Sequence, residues 1–365
     1  MKRVTLADIA RATGFSVNTV SRALNDKGDV SPETRETIRS TAQQLGYRPD
    51  RLARGLRTQS TRVIGVVVTD VANPFFGALV KSISHAARSR DYRVILQDSD
   101  ESVEHEQEAI EVLLSERIDG ILICPVQIDR APIDRLARSG LPFVLVGRYF
   151  DDLATDYAIP DDRQGGYLAA KHLIDLGHRR IGMINGPEWI SSAVERRDGF
   201  VAAHREASLS VDERLILHRA LTTAEGHRAA RELLKDHPDV TAIATYSDYV
   251  ALGVATAVRE TGRSIPDDIA LIGFDDIDIA ASLAVPLSTI RAPIRELGFQ
   301  GVDLLCEKIA GGVEPPVRRR LPVELVPRRS TLGCDPRAQQ PPGDVLREQG
   351  LDSRNEKTSP SCGGR

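Results

Sequence analysis

The chain has 365 residues, with 41% hydrophobic and 27% charged side chains and a net charge of −4, a profile of folded protein too long for one hydrophobic core. No run of about eighteen apolar residues occurs, which argues against a membrane span, and Met1-Lys2-Arg3-Val4-Thr5 leads into an amphipathic pattern rather than a secretory leader. Cys124, Cys306, Cys334 and Cys362 lie far apart with no CxxC or zinc spacing, as expected of reduced thiols in a cytoplasm.

Charge is unevenly distributed. Residues 1–60 hold eleven Lys/Arg against six Asp/Glu, a net +5, so the remainder carries −9. A basic head on an acidic body points the head toward a polyanion.

The head reads as three short helices. Thr5 and Asp8 form a capping-box variant ahead of a helix marked by Leu6, Ile9 and Ala10. Gly14 breaks it, and Ser16 caps a second helix over 17–25 with Val20 and Leu24 inward. Ser31-Pro32-Glu33 opens a third helix, which is expected to bury Ile38, Ala42 and Leu45 before Gly46 stops it. A tight turn between the first two helices makes a helix-turn-helix, whose second helix presents its start to the major groove. Val17 suits a thymine methyl, Asn18 an adenine edge and Arg22 a guanine. Thr5, Ser16, Thr19 and Ser21 are short donors suited to phosphate.

Residues 50–58, DRLARGLRT, place Leu52, Ala53 and Leu56 on one helical face among Arg51, Arg54 and Arg57. So short a helix is unstable in water, and Gly55 costs about another 1 kcal/mol. The segment is expected to fray alone and to fold when paired with its dimer mate on DNA.

From Arg62 onward, apolar runs at 63–68, 93–96, 120–124, 143–146, 181–184, 241–244 and 269–272 alternate with helical patterns such as 74–90. This predicts two doubly wound lobes with parallel sheets. No GxGxxG or GxxxxGK[ST] follows a strand, so no nucleotide cofactor is expected, and there is no metal-ligand cluster. An enzyme is not expected either: His105-Glu106 lacks the second histidine of HExxH, and no GxSxG occurs. Ligands of such sheets sit beyond the carboxyl ends of the strands. The strand-exit residues include Asp70, Asn73, Phe75 and Phe76; Arg148; Trp189, Arg196 and Asp198; Tyr246, Ser247 and Asp248; and Asp275. Aromatic faces stack on sugar C–H surfaces, while carboxylates and guanidinium groups bond vicinal hydroxyls.

VTLADIARATGFSVNTVSRALN, followed by VSPETRETIRSTAQQLGYRPDRLARGLRT, closely resembles the head and hinge of the lactose-repressor (LacI/GalR) family. The resemblance continues to about residue 330 through Asn73-Pro74-Phe75-Phe76, Asp161-Asp162-Arg163-Gln164-Gly165-Gly166, the segment 172–181, Arg196-Arg197-Asp198-Gly199-Phe200 and Ile272-Gly273-Phe274-Asp275-Asp276. It implies base contacts by Leu6, Val17, Asn18 and Arg22, with Val17 and Asn18 setting operator choice. Ala53 and Leu56 become DNA-facing hinge residues, Leu56 as the minor-groove wedge. The body is similar to the periplasmic sugar-binding fold, with Asn73, Phe75, Phe76, Arg148, Trp189, Arg196, Tyr246, Asp248 and Asp275 as effector residues. Gly147, where many members have a ligand-binding Asp, and Ala292, where some have Gln, depart from the pattern.

The implied organisation is a DNA-binding head at 1–48, a hinge helix at 49–60 and an effector domain at 61–330. Its first lobe takes 61–161 and 292–320, and its second takes 162–291 and 321–330. Residues 331–365, without apolar periodicity or a leucine heptad, read as a disordered tail, which favours a dimer. The implied function is a cytoplasmic, nucleoid-associated repressor. It would bind double-stranded operator DNA as a homodimer under control of a small-molecule effector, a sugar or sugar derivative. The alternative is a corepressor-dependent regulator with a nucleoside or purine effector.

Overall fold

The structure is a computed structural model that describes residues 4–25, 29–47, 60–312 and 315–332. Ala53 and Leu56 lie outside the described residues, as does everything beyond Leu332.

Three helices form the head: α1 (Leu6–Thr13), α2 (Val17–Leu24) and α3 (Pro32–Gln44). Each starts where a side chain accepts a backbone N–H that the helix leaves unpaired. Thr5 Oγ1 accepts from the Asp8 amide at 3.3 Å, and the Asp8 carboxylate accepts from the Thr5 amide at 2.9 Å. Ser16 caps α2 through the Thr19 amide at 3.1 Å, and Ser31 caps α3 through the Thr34 amide at 3.2 Å. Gly14 ends α1 at φ +76°, a left-handed conformation that glycine adopts at no steric cost. The head core is Ile9, Val20, Ala23, Val30, Ile38 and Ala42, with Leu24 packed at its edge. Leu45, expected inside, is 41% exposed; it follows the last turn of α3, and Tyr47 packs on this core instead.

The body contains two six-stranded sheets. The first runs β11-β5-β4-β3-β1-β2, all parallel, from β1 (Val63–Val68), β2 (Arg93–Asp98), β3 (Gly120–Ile123), β4 (Phe143–Val146), β5 (Tyr157–Pro160) and β11 (Arg318–Leu321). The second runs β12-β10-β9-β8-β6-β7, from β6 (Ile181–Asn185), β7 (Ile216–His218), β8 (Ala242–Thr245), β9 (Ala270–Asp275), β10 (Ser288–Arg291) and β12 (Glu324–Val326). Only the β10–β12 pair of this sheet is antiparallel. The inner strands are apolar throughout because parallel sheets are covered on both faces.

Helices α4 (Pro74–Ser89), α5 (Val103–Ser115) and α6 (Ala131–Arg138) connect the strands of the first sheet. Helices α7 (Asp162–Asp175), α8 (Ser191–Glu206), α9 (Thr223–Asp236), α10 (Asp248–Glu260) and α11 (Asp278–Ser282) belong to the second. The chain then returns through α12 (Ile294–Ile309), which packs on β3, β4 and α4, and ends in α13 (Arg329–Leu332). It therefore passes between the sheets after β5, after β10 and after β11. A Cβ on Gly166 of α7 would collide with the Arg196 carbonyl, and one on Gly199 of α8 with the Arg163 carbonyl. The two helices thus cross almost backbone to backbone.

The expected tail begins too early. Thr331 is buried, its hydroxyl 2.8 Å from His172 Nε2 and 2.7 Å from Ser288 Oγ, while Ser330 Oγ donates to the Leu271 carbonyl at 2.6 Å. These short polar side chains fill hydrogen-bonding positions that an apolar periodicity cannot reveal.

Candidate functional site

On the head, Val17, Asn18 and Arg22 of α2 are exposed, Val17 by 48%. An apolar side chain held in solvent beside an amide and a guanidinium is what edge recognition of base pairs requires. Arg22 is engaged with Asp29 in an exposed ion pair. The Thr5 hydroxyl donates to Asp8 and the Ser16 hydroxyl bonds that of Thr19, so these groups are drawn into caps as well as offered outward. Ser21 is half-buried under the Asn25 amide, and Leu6 packs partly on the head core.

Between the sheets lies a cavity of about 260 Å³. The first lobe lines it with Asp70, Asn73, Phe75, Phe76, Asp100, Glu101, Cys124, Gly147 and Arg148. The second supplies Ser192, Arg196, Leu221, Thr222, Glu225, Tyr246, Ser247 and Asp275, and Pro160 sits at the crossing. Nearly all follow the carboxyl ends of their strands, as an α/β crevice demands.

Both guanidinium groups in the cavity have internal partners. Arg148 is buried and donates to the two Glu101 oxygens at 2.6 and 3.0 Å and to the Pro125 carbonyl at 3.1 Å. Arg196 is buried against Asp162 at 2.7 and 2.8 Å, donates to the Tyr246 carbonyl, and lies 3.5 Å above the Phe274 ring centre and 4.6 Å from that of Tyr246. Close crossing of α7 and α8 brings Asp162 and Arg196 together. Tyr246 and Ser192 bond through their hydroxyls at 2.9 Å.

Asp275 differs. It ends β9 with φ +115° and is 4% exposed. Burial pushes its carboxyl well above the usual range; Arg196 pulls it back, while Asp248 and Asp162 push it further. The aromatic wall is Phe75 and Phe76, packed edge to face at 5.1 Å. Asn73 begins α4, its Oδ1 accepting from the Phe75 amide at 3.1 Å. Gly147 has φ +78° and opens the floor beneath it, with Cys124 Sγ 3.7 Å from where a Cβ would stand.

Seven of the nine residues expected at an effector meet here: Asn73, Phe75, Phe76, Arg148, Arg196, Tyr246 and Asp275. Trp189 does not; it is 54% exposed outside the lining. Asp248 is also misplaced, because its carboxylate is turned into the fold. It accepts from Thr289 Oγ1 at 2.6 Å and from the Ile277 amide at 3.0 Å.

Several lining residues escaped the sequence reading. Asp100 and Glu101 follow β2, whose last two residues, Gln97 and Asp98, are too polar to read as strand. Leu221, Thr222 and Glu225 follow β7, a three-residue strand without a legible pattern. Ser192 sits one helical turn before Arg196 on α8, a spacing that could have found it. Among the described residues no cluster of His, Cys, Asp and Glu is suited to a metal ion, and no helix is long and apolar enough to cross a membrane.

Both the head and the body match known families. Residues 5–50 match the family of bacterial regulatory proteins, lacI family, and residues 61–329 match the periplasmic binding proteins and sugar binding domain of LacI family. The chain belongs to the LacI family. Among its LacI-family relatives, the HTH-type transcriptional repressor PurR of Photobacterium profundum is 33% identical over 84% of this chain and 92% of its own length. The HTH-type transcriptional regulator CelR of Thermobifida fusca is 33% identical over 90% of this chain and 98% of its own. A Lac repressor dimer bound to operator and the anti-inducer ONPF superposes with a TM-score of 0.81 at 28% identity, covering 91% of this chain and all of that one. A CelR–cellobiose complex superposes at 0.70 with 31% identity, covering 90% and 100%. This LacI-family chain is accordingly a DNA-binding transcriptional regulator with an effector-binding domain.

Proposed function

We propose that the chain is a homodimeric repressor that releases a near-palindromic operator when a neutral sugar or sugar derivative closes in the interlobe cavity. The observation that carries the effector class is charge. Glu101 neutralises Arg148 and Asp162 neutralises Arg196, so among the described residues the cavity offers no spare cation for a phosphate or carboxylate. Asp275 is left to bond hydroxyls opposite the Phe75 and Phe76 faces, the combination that a polyol requires. The related CelR structure holding cellobiose is consistent with this.

On this reading residues 1–48 form the head, with Thr5, Leu6, Ser16, Val17, Asn18, Thr19, Ser21 and Arg22 at the DNA. The hinge at 49–60 adds Ala53 and Leu56, and the two lobes bind effector. Catalysis has no role, and the protein works in the cytoplasm at the nucleoid. The second reading is a corepressor such as a nucleoside or purine. The three aromatic side chains Phe75, Phe76 and Tyr246 at the cavity favour it, since a flat base stacks on such faces.

The test begins with selection of bound duplexes from a random pool, followed by salt-dependent titration. A thermal-shift screen of sugars and nucleosides then finds the effector, because a ligand of the folded state raises the melting temperature. Adding the hit to the protein–operator complex reads the sign. A sugar that releases operator supports the first reading, and a nucleoside that tightens it supports the second. Asp275→Ala should weaken the hit about 10- to 100-fold, the cost of leaving a buried ligand hydroxyl without its partner. Unchanged affinity in that variant would remove Asp275 from the site.

A further inference from the structure

Helix α8 carries two cavity-lining side chains, Ser192 and Arg196, yet begins without a side-chain cap of its own, with Ile190 at the N-cap. The first N–H groups of a helix have no partner within it, and the aligned peptide dipoles add partial positive charge there. The missing acceptor comes from the other lobe. Gln127, in the loop after β3, accepts through Oε1 from the Ser191 amide at 3.0 Å and the Ser191 hydroxyl at 3.2 Å. Its Nε2 donates to the Tyr149 carbonyl at 2.7 Å, and the Tyr149 amide donates back to Ser191 Oγ at 3.1 Å. Gln127 is buried and has φ +72°, a conformation a long side chain adopts only where its surroundings hold it.

One turn along the same helix is a second grip. Arg320 of β11 donates to both oxygens of Glu195 at 2.7 Å, and the Tyr149 hydroxyl donates to Glu195 at 2.5 Å. Arg320 also donates to the Tyr149 hydroxyl at 2.9 Å and lies over its ring. The bonds to Ser191 and Glu195 join the first lobe to the second, and those that link Tyr149 with Gln127 and Arg320 tie the first-lobe side together.

We infer that Gln127, Tyr149 and Arg320 form a latch across the cleft that caps and grips helix α8, setting Ser192 and Arg196 in place before an effector arrives. They are positioning residues. Opening the lobes uncaps α8 and separates a two-pronged charged pair from its partner, so the closed arrangement is favoured in the ligand-free protein. A ligand then meets a partly ordered site and loses less freedom on binding. The inference rests on the cavity being the effector site, but its test needs neither effector nor operator.

The experiment compares the ligand-free full chain with Gln127→Ala, Glu195→Gln and Tyr149→Phe by hydrogen exchange and small-angle scattering. Far-UV circular dichroism checks that each variant is folded. Trp189, the single tryptophan, lies two residues before Ser191 and reports the same region by fluorescence. The expected result is exchange about ten-fold faster in the first turn of α8 in the variants, with β8 and β9 unchanged, since local openings read out locally. The radius of gyration should rise and Trp189 emission should shift. Tyr149→Phe removes one hydroxyl only and serves if the other variants fail to fold. Unchanged exchange and scattering would overturn the latch. So would exchange that rises equally across the body, which marks general destabilisation. A failure to find operator binding would leave these readouts untouched, so the two readings fail separately.

Discussion

Arg148 is buried with its two terminal nitrogens facing the two carboxylate oxygens of Glu101, at 2.6 and 3.0 Å. The pair sits in the cavity wall beside Gly147, the residue that departs from the family pattern. A self-contained ion pair there makes the wall polar without making it cationic. Glu101→Gln removes the negative partner and leaves a buried guanidinium uncompensated. Unfolding stability should fall by about 3 kcal/mol, the scale for breaking a buried pair. Millimolar sulfate should raise the variant's melting temperature and leave the parent's unchanged. Equal response of the two proteins to sulfate would show that Arg148 does not face the cavity.

Glu106 predicts a pH effect. It is fully buried in α5, with Oε1 accepting from the Val126 amide at 2.8 Å and Oε2 without a hydrogen-bond partner. Burial pushes its carboxyl up to about 7; the Val126 amide and Arg148 pull it down. A raised carboxyl favours the fold at low pH, and that contribution is lost as pH climbs from about 4.5 through 7. Glu106→Gln keeps the Oε1 acceptor and carries no charge. It should be more stable than the parent at pH 8, by up to about 3 kcal/mol, and nearly equal at pH 4. Asp248, pushed up by burial to about 7, has the same sign, so the variant retains part of the slope. Denaturant titrations at the two pH values give the difference, and identical profiles would contradict the assignment.

Asp119 predicts a coupling defect. At the foot of β3 it accepts from Ser60 Oγ at 2.5 Å, the Thr61 amide at 2.7 Å, Thr61 Oγ1 at 2.8 Å and the Arg62 amide at 3.1 Å. It therefore anchors the chain where the proposed hinge joins the first lobe. Asp119→Ala strips four bonds, each worth roughly 1 kcal/mol net. Operator affinity should drop about ten-fold while effector affinity stays within about two-fold, because the cavity is at the other end of the sheet. Equal losses of both would make Asp119 a stability residue only.

The head predicts a separation of roles. Asn18→Ala should change the preferred base at one pair per half-site by about 1–3 kcal/mol. Asp29→Asn should act differently, since Asp29 holds Arg22 in an exposed pair worth at most about 1 kcal/mol. Freed of it, Arg22 should tighten operator binding up to about five-fold with unaltered base preference. Selection from a random duplex pool separates the outcomes. Uniform weakening across all duplexes by Asn18→Ala would make it a phosphate contact.

How much was legible follows from the type of signal. Caps at Thr5, Ser16 and Ser31 and the inner strands were readable because their chemistry is local: a short polar acceptor before a helical period, or an apolar run between turns. Strands β5, β7, β10, β11 and β12 were missed for the converse reason. Each spans three or four residues, and β11 reads Arg-Arg-Arg-Leu, whose strand character comes from pairing with β5. Missing β7 hid the exit loop that brings Leu221, Thr222 and Glu225 to the cavity.

Trp189 and Asp248 illustrate the remaining gap. Both stand after a strand, where position along the chain admits them to the cavity, but side-chain direction decides against them. By itself the order of residues determined the helical head, the alternation that makes two lobes, and the family, since these depend on periodicities and motifs within some twenty residues. Tertiary structure alone decided which charges were already matched: Glu101 with Arg148, Asp162 with Arg196, and Glu195 with Arg320 across the lobes. The separations between those partners run from 34 to 125 positions. No local pattern spans such distances, and the pairings exist only once the sheets have brought their carboxyl ends together.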